Sequence, residues 1–223
     1  MSSLILFDID GTLVRRAGPH HRQALVDAVR KVTGLETTTE GIPVHGMLDP
    51  QILTQMMKAG GLDEAAIQSA MPRTIQAAQN LYEESVPDLR DRRCPGVEAL
   101  LEALREWGIA LALVTGNLTR IGWRKLERAG LKHYFPFGAF GEMADTRGGL
   151  ARLAIEKARR EGLINGESSI SLIGDAAQDV LAARENGIRS IAVRTGITPA
   201  EELEASAPDL LLDDLTMLDP ATI

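Results

Sequence analysis

Two carboxylates separated by one residue end the first apolar run of the chain, in the segment LILFDIDGT at residues 4–12. Side chains two apart on a strand project to the same side. Asp8 and Asp10 are therefore expected to emerge together at the carboxyl end of a strand, the edge at which open α/β sheets bind ligands. Gly11 permits a sharp turn directly after them. Two aspartates this close repel each other in a poorly solvated crevice, so the pair makes sense with a bound cation or with one proton held between them; otherwise it is a solvated strand end. A second strand-like run stops at Thr115, Gly116 and Asn117 in LVTGN. There a hydroxyl and backbone amides ahead of a helix can hold an anion, or simply cap that helix. A third, in SISLIGDAAQD, delivers Asp175 and, one helical turn later, Asp179, so that both can face the same crevice. Carboxylate oxygens are the donors that a hard ion such as Mg²⁺ takes, and no cluster of Cys and His offers a softer site.

These residues need a scaffold that brings three strand ends to one edge. Short apolar runs of the kind found in buried strands recur at residues 4–9, 109–114, 170–173, 190–193 and 210–212, with amphipathic stretches filling most of the gaps. Pro95 opens one such helix, Val97, Leu100, Leu101 and Leu104 share its apolar face, and Gly108 closes it. This alternation predicts an α/β fold, a doubly wound parallel sheet covered on both faces and joined by right-handed crossovers. After Leu13 the pattern changes, and about eighty residues pass with helical periodicity and no strand-like run. The expected organisation is a core domain built from residues 1–13 and 94–223, interrupted by an all-helical cap domain over residues 14–93. Within the insert, helices are predicted over residues 19–33, from a cap at Asp49 through Pro50 to Gly60, and from Asp63 onward. Pro72 is expected to interrupt that last pattern and to begin a fresh helix carrying Ile75, Ala78, Tyr82 and Val86 on one face.

The chain has 223 residues, with 24 Lys and Arg against 31 Asp and Glu, a net charge of −7 that disfavours nucleic acid as a partner. Its longest apolar stretch, residues 109–114, is far short of the ~20 residues a membrane span needs. The first ten residues carry no basic leader and their apolar run soon meets Asp8, so a cytoplasmic protein is expected. Cys94 is the only cysteine and is read as an ordinary buried thiol. Neither a P-loop nor a dinucleotide-binding glycine pattern is present. Nothing in the composition fixes an oligomeric state.

Taken in chain order, DIDGT, LVTGN and IGDAAQD resemble the first, second and fourth motifs of the haloacid dehalogenase superfamily of hydrolases, and QDVLAARENG continues as in its phosphoglycolate phosphatase-like members. The resemblance runs over nearly the whole chain, including the helical insert, and implies a Rossmann-like core. The third motif departs from the usual lysine followed by proline: in GEMADTRGGLARLAIEKA it is Arg147 that stands at that place. What the resemblance implies is Mg²⁺-dependent hydrolysis of a small phosphate monoester. Asp8 would be the nucleophile that becomes an aspartyl-phosphate, and Asp10 the general acid and then the base. Thr115 and the amides of Gly116 and Asn117 would hold the phosphoryl oxygens, with Arg147 balancing their charge. Mg²⁺ would be held by Asp8, the backbone carbonyl of Asp10 and Asp175, with Asp179 orienting that shell from behind. One arginine does not offset four carboxylates and a phosphate dianion, which is a separate reason to expect a divalent cation. Asp10 points to phosphate esters, since dehalogenases proper and phosphonatases lack an acid there. A β-phosphoglucomutase-like mutase and a non-catalytic phospho-aspartate module are the alternatives. Arg15, Arg16, His20, His21 and His45 are the candidates in the insert for reading the substrate.

Overall fold

The computed structural model describes residues 3–15 and 18–222. Strand β1 (Ser3–Phe7) is apolar and inaccessible from Leu4 onward, which is what the middle of a sheet covered on both faces requires. It is joined in one parallel sheet by β2 (Ala110–Val114), β3 (Gly138–Ala139), β4 (Ser169–Gly174), β5 (Arg189–Val193) and β6 (Leu210–Leu212), in the order β3-β2-β1-β4-β5-β6. The side chains of β1 divide between the faces with period two. Ile5 and Phe7 join the core that contains Leu113, Ile121 and Leu126, whereas Leu4 and Leu6 join the one that contains Val114, Leu150 and Ala154. The five predicted strands are present within a few residues of their expected limits. The two-residue β3 was not expected, because a pair such as Gly138–Ala139 carries no periodicity.

The helices flanking the sheet are α4 (Val97–Glu106), α5 (Thr119–Ala129), α6 (Arg147–Arg160), α7 (Ala177–Glu185) and α8 (Ala200–Ala205), so strand and helix alternate as the pattern predicts. Between β1 and α4 lie α1 (His20–Thr33), α2 (Asp49–Ala59) and α3 (Glu64–Ser85), with no strand among the described residues of that stretch. Two expectations are corrected here. Pro72 does not interrupt a helix: α3 runs through it for 22 residues. A proline within a helix costs about 3 kcal/mol through a lost hydrogen bond and a steric clash. Here Pro72 and Gln68, whose carbonyl loses its partner, are both exposed residues, while Ile67 and Ala70 before the proline and Ala77, Ala78 and Tyr82 after it continue one buried face. Asp49 is not the cap of α2 either. Leu48 occupies that position, and the Asp49 carboxylate is used elsewhere.

The chain leaves and re-enters the sheet layer at one place. Val14 forms a bridge with Arg93, Arg15 N–H donates to Arg92 O (2.6 Å), and Cys94 N–H donates to Leu13 O (3.0 Å). Cys94 is buried there, and burial pushes its thiol upward in pKa. No helix among the described residues is long and apolar enough to cross a membrane.

Candidate active site

The register of the three central strands sets the site. Phe7 pairs with Leu113 on one side and with Ile173 on the other, so β1, β2 and β4 end level with one another at the point where the strand order reverses. Asp8, Thr115 and Asp175 follow directly. Asp8 N–H donates to Ile173 O (3.0 Å) and Thr115 N–H to Ala139 O (3.1 Å), which fixes both backbones. Gly11 turns the chain at φ 84°, and a side chain there would overlap the Asp175 carboxylate.

Asp8 is 4% exposed, so the solvated strand end is excluded. Carboxylate oxygens of Asp8, Asp175 and Asp179 all lie within 4.8 Å of one another. The cation facing them is Arg147, the first residue of α6, whose Nη1 donates to Asp8 Oδ1 (2.8 Å). That nitrogen also lies 3.3 Å from Asp179 Oδ1, yet without hydrogen-bond geometry, and this buried oxygen has no hydrogen-bond partner. Three buried carboxylates with one guanidinium leave negative charge uncompensated. Burial, partly countered by Arg147 and reinforced by Asp10, raises the Asp8 carboxyl. Burial and then Asp8 and Asp179 raise Asp175 well above the ordinary range, and burial against the pull of Arg147 pushes Asp179 up to about 7. An all-oxygen donor set with an orphaned oxygen fits a hard divalent cation. Asp179 contributes an oxygen to this cluster beside the expected Asp8 and Asp175.

Asp10 has different partners. It lies past the end of β1 at Phe7, and both aspartates line the same cavity. The Asp10 oxygens accept from Lys125 Nζ at 2.7 and 2.5 Å, and Oδ2 also accepts from Asn117 Nδ2 at 2.7 Å. Asn117 Nδ2 donates in addition to Thr115 Oγ1 (2.8 Å), and Asn117 Oδ1 accepts from Lys125 (2.6 Å). Burial would raise the Asp10 carboxyl, but Lys125, His21 and the hydrogen bonds from Lys125 and Asn117 outweigh it and hold it below its ordinary value. The side chain keeps 43% of its surface open, which softens the burial penalty. Asn117 is therefore no helix cap, since Leu118 fills that position in α5.

Lys125 is the residue that the sequence motifs missed. The buried stripe of α5 contains Ile121, Gly122, Lys125, Leu126 and Ala129, and a lysine on such a stripe is a signal, because a buried ammonium needs a partner. It is a second cation beside Arg147, where the sequence motifs offer one arginine against four carboxylates. The insert supplies the rest of this side. His21 Nδ1 lies 3.1 Å from Lys125 Nζ, and His21 Nε2 lies 2.9 Å from Asp49 Oδ2. Asp49 Oδ2 also accepts from Leu118 N–H (2.8 Å), and Asp49 N–H donates to Gly116 O (2.8 Å). Gly116 is required to be glycine, because a Cβ would overlap the carbonyl of Met47. The start of α2 is thus seated on the loop that the second motif provides.

Both halves open on one cavity of about 660 Å³, bounded by the strand ends and by the insert. Arg15, His21 and His45 line it and His20 does not; Arg22, not singled out from sequence, lines it too. Arg16 lies outside the described residues.

A parallel sheet with carboxylates gathered at its switch point, and a further carboxylate two residues after the first, makes this an α/β protein with an acidic site at its strand ends. More specifically, the chain belongs to the haloacid dehalogenase-like hydrolases, whose family model matches residues 3–187. It is 30% identical to the phosphoglycolate phosphatase of Agrobacterium fabrum, over 99% of this chain and 92% of that protein. With the phosphoglycolate phosphatase of Pseudomonas putida the identity is 26%, over 98% of this chain and 81% of the other. Among solved structures, CbbY from Rhodobacter sphaeroides in complex with xylulose-(1,5)bisphosphate superimposes with a TM-score of 0.74 at 20% identity, covering 98% of this chain and 96% of that one. β-Phosphoglucomutase from Clostridium difficile gives 0.70 at 19% identity, covering 98% and 94%. These two likenesses establish the fold. The chain is an enzyme of the hydrolase class, similar to phosphoglycolate phosphatases.

Proposed function

We propose that this enzyme hydrolyses small phosphate monoesters of the phosphoglycolate kind, by transfer of the phosphoryl group to Asp8 and from there to water. The observation that carries the reading is the pair of unlike carboxylates opening on one cavity, Asp8 beside Arg147 and Asp10 beside Lys125. Asp8 attacks phosphorus and forms an acyl phosphate as the P–O bond to the alcohol breaks, which splits one difficult hydrolysis into two easier displacements. Arg147 faces the charge on the phosphoryl oxygens. Thr115 contributes its hydroxyl proton, since its oxygen already accepts from Asn117. Asp10 gives a proton to the departing alkoxide and later takes one from the attacking water. Its paired, lowered carboxyl suits the second role directly, and the first requires it to carry a proton against the pull of Lys125.

Asp8, Asp175 and Asp179 are the side chains that would hold a divalent cation, with Mg²⁺ the one their oxygen donors suit, together with the backbone carbonyl of Asp10. Bound there, the cation supplies the positive charge that lets Asp8 stay ionised beside a phosphate. The insert over residues 14–93 acts as a cap that closes on the substrate and shields the phosphoryl group from bulk water. Phosphoglycolate, sugar phosphates and nucleoside monophosphates, assayed with Mg²⁺ and ranked by kcat/KM, test the reading. Repeated release of phosphate from at least one of them is the expected result. A single stoichiometric labelling of the protein without turnover would overturn it in favour of a phospho-aspartate module.

A further inference from the structure

Lys125 is a buried charge that the reaction above does not use. Its side chain is 1% exposed, and its ammonium has three N–H donors. Each has an acceptor: the Asp10 carboxylate at 2.7 and 2.5 Å, Asn117 Oδ1 at 2.6 Å and His21 Nδ1 at 3.1 Å. Tyr82 of α3 covers the group, with its ring centroid 6.0 Å from Nζ. Asn117 closes the arrangement by donating to Asp10 Oδ2 while accepting from Lys125, so that three side chains hold one another in a ring. An ammonium kept out of water at this place needs strong pairing, and a helix packed on a sheet is served as well by an aliphatic residue. Stability alone does not account for it.

We propose that Lys125 is a positioning residue for Asp10: with Asn117 it fixes the carboxylate of the proton-transferring aspartate in the one orientation that faces the phosphoryl site. This rests on the role given to Asp10 above. Asp10 lies outside regular strand structure, and its side chain is half open, so without Lys125 it is free to take other rotamers. Removing Lys125 is expected to slow the chemical steps and to leave substrate binding by Arg147 and the cap nearly as it was.

The test is a double-mutant cycle with Mg²⁺ and the alkyl phosphate of highest kcat/KM in the panel above, using the full chain, Asp10→Asn, Lys125→Met and the double variant. Lys125→Met is expected to lower kcat by about 10–100-fold, with KM changed by less than about threefold. In the Asp10→Asn background the same substitution is expected to cost less than about twofold, because a residue that acts through Asp10 has nothing left to act on. Equal losses in both backgrounds would overturn the proposal and leave the role of Asp10 standing. Wild-type turnover by Asp10→Asn would overturn both. Thermal melts establish folding of each variant, and if Lys125→Met does not fold, Lys125→Gln carries the same cycle with the same expected outcomes.

Discussion

On the Asp8 side of the cavity three buried carboxylates share one guanidinium, whereas on the Asp10 side a single carboxylate is paired with both an ammonium and an amide. The two sides are two residues apart in the chain, yet their carboxyl groups are displaced in opposite directions, Asp8 upward and Asp10 downward. The difference separates two tasks. A crowded, undercompensated cluster attracts positive charge, while a paired carboxylate stays ionised to lower pH. One pair of aspartates in one environment would do neither well, because the two would compete for a single proton.

The largest effect expected from breaking the comparison is at Asp8. Asp8→Asn removes the attacking oxygen, and turnover is expected to fall below about one hundredth of wild type; higher activity in a clean preparation would exclude it as nucleophile. Next is the cluster itself. Asp175→Ala is expected to be nearly inactive at ordinary Mg²⁺ and inert with EDTA, while wild type loses activity in EDTA and regains it with Mg²⁺. Full wild-type activity after verified metal removal would contradict the charge argument.

Asp10→Asn acts on the other side, and its loss is expected to depend on the leaving group. Alkyl phosphates need a proton on the departing oxygen and p-nitrophenyl phosphate scarcely does, so the loss on the former is expected to exceed that on the latter by about tenfold or more. Equal losses would remove the general-acid role.

The smallest effect is on stability. Asp179 sits at about 7 against an ordinary value of 3.8, so between these values the folded chain binds more protons than the unfolded one. Without divalent cation, the melting temperature is therefore expected to fall as pH rises from about 4 to about 7, by on the order of ten degrees. Asp179→Asn is expected to flatten that slope. A melting temperature that rises over this interval would contradict the upward displacement.

How much of this was legible in sequence depended on how local each cause is. Asp8, Asp175 and Thr115 sit directly after apolar runs, and a strand end in a parallel sheet is a place that periodicity can find. Arg147 and Asp179 come with their motifs, and the structure brings both to Asp8. The partner of Asp10 was not legible in the same way, because Lys125 reaches it only through the packing of α5 against the sheet, over a separation of 115 residues. The Asp49 carboxylate was read as serving its own helix and instead serves α5, which again needs tertiary contact. Pro72 misled because propensity is local and the long apolar face of α3 is not.

The paired backbone at Leu13, Val14, Arg93 and Cys94 has a consequence for the architecture as a whole. The chain departs and returns through a single doorway, with Leu13 O and Cys94 N–H 3.0 Å apart. Both ends of the insert are thus tied to each other, and the register of β1 with β2 and β4 is held by the sheet itself. The helical segment is in this sense a cassette, joined to the core at one doorway while its far side, through His21 and Asp49, reaches back to the strand ends.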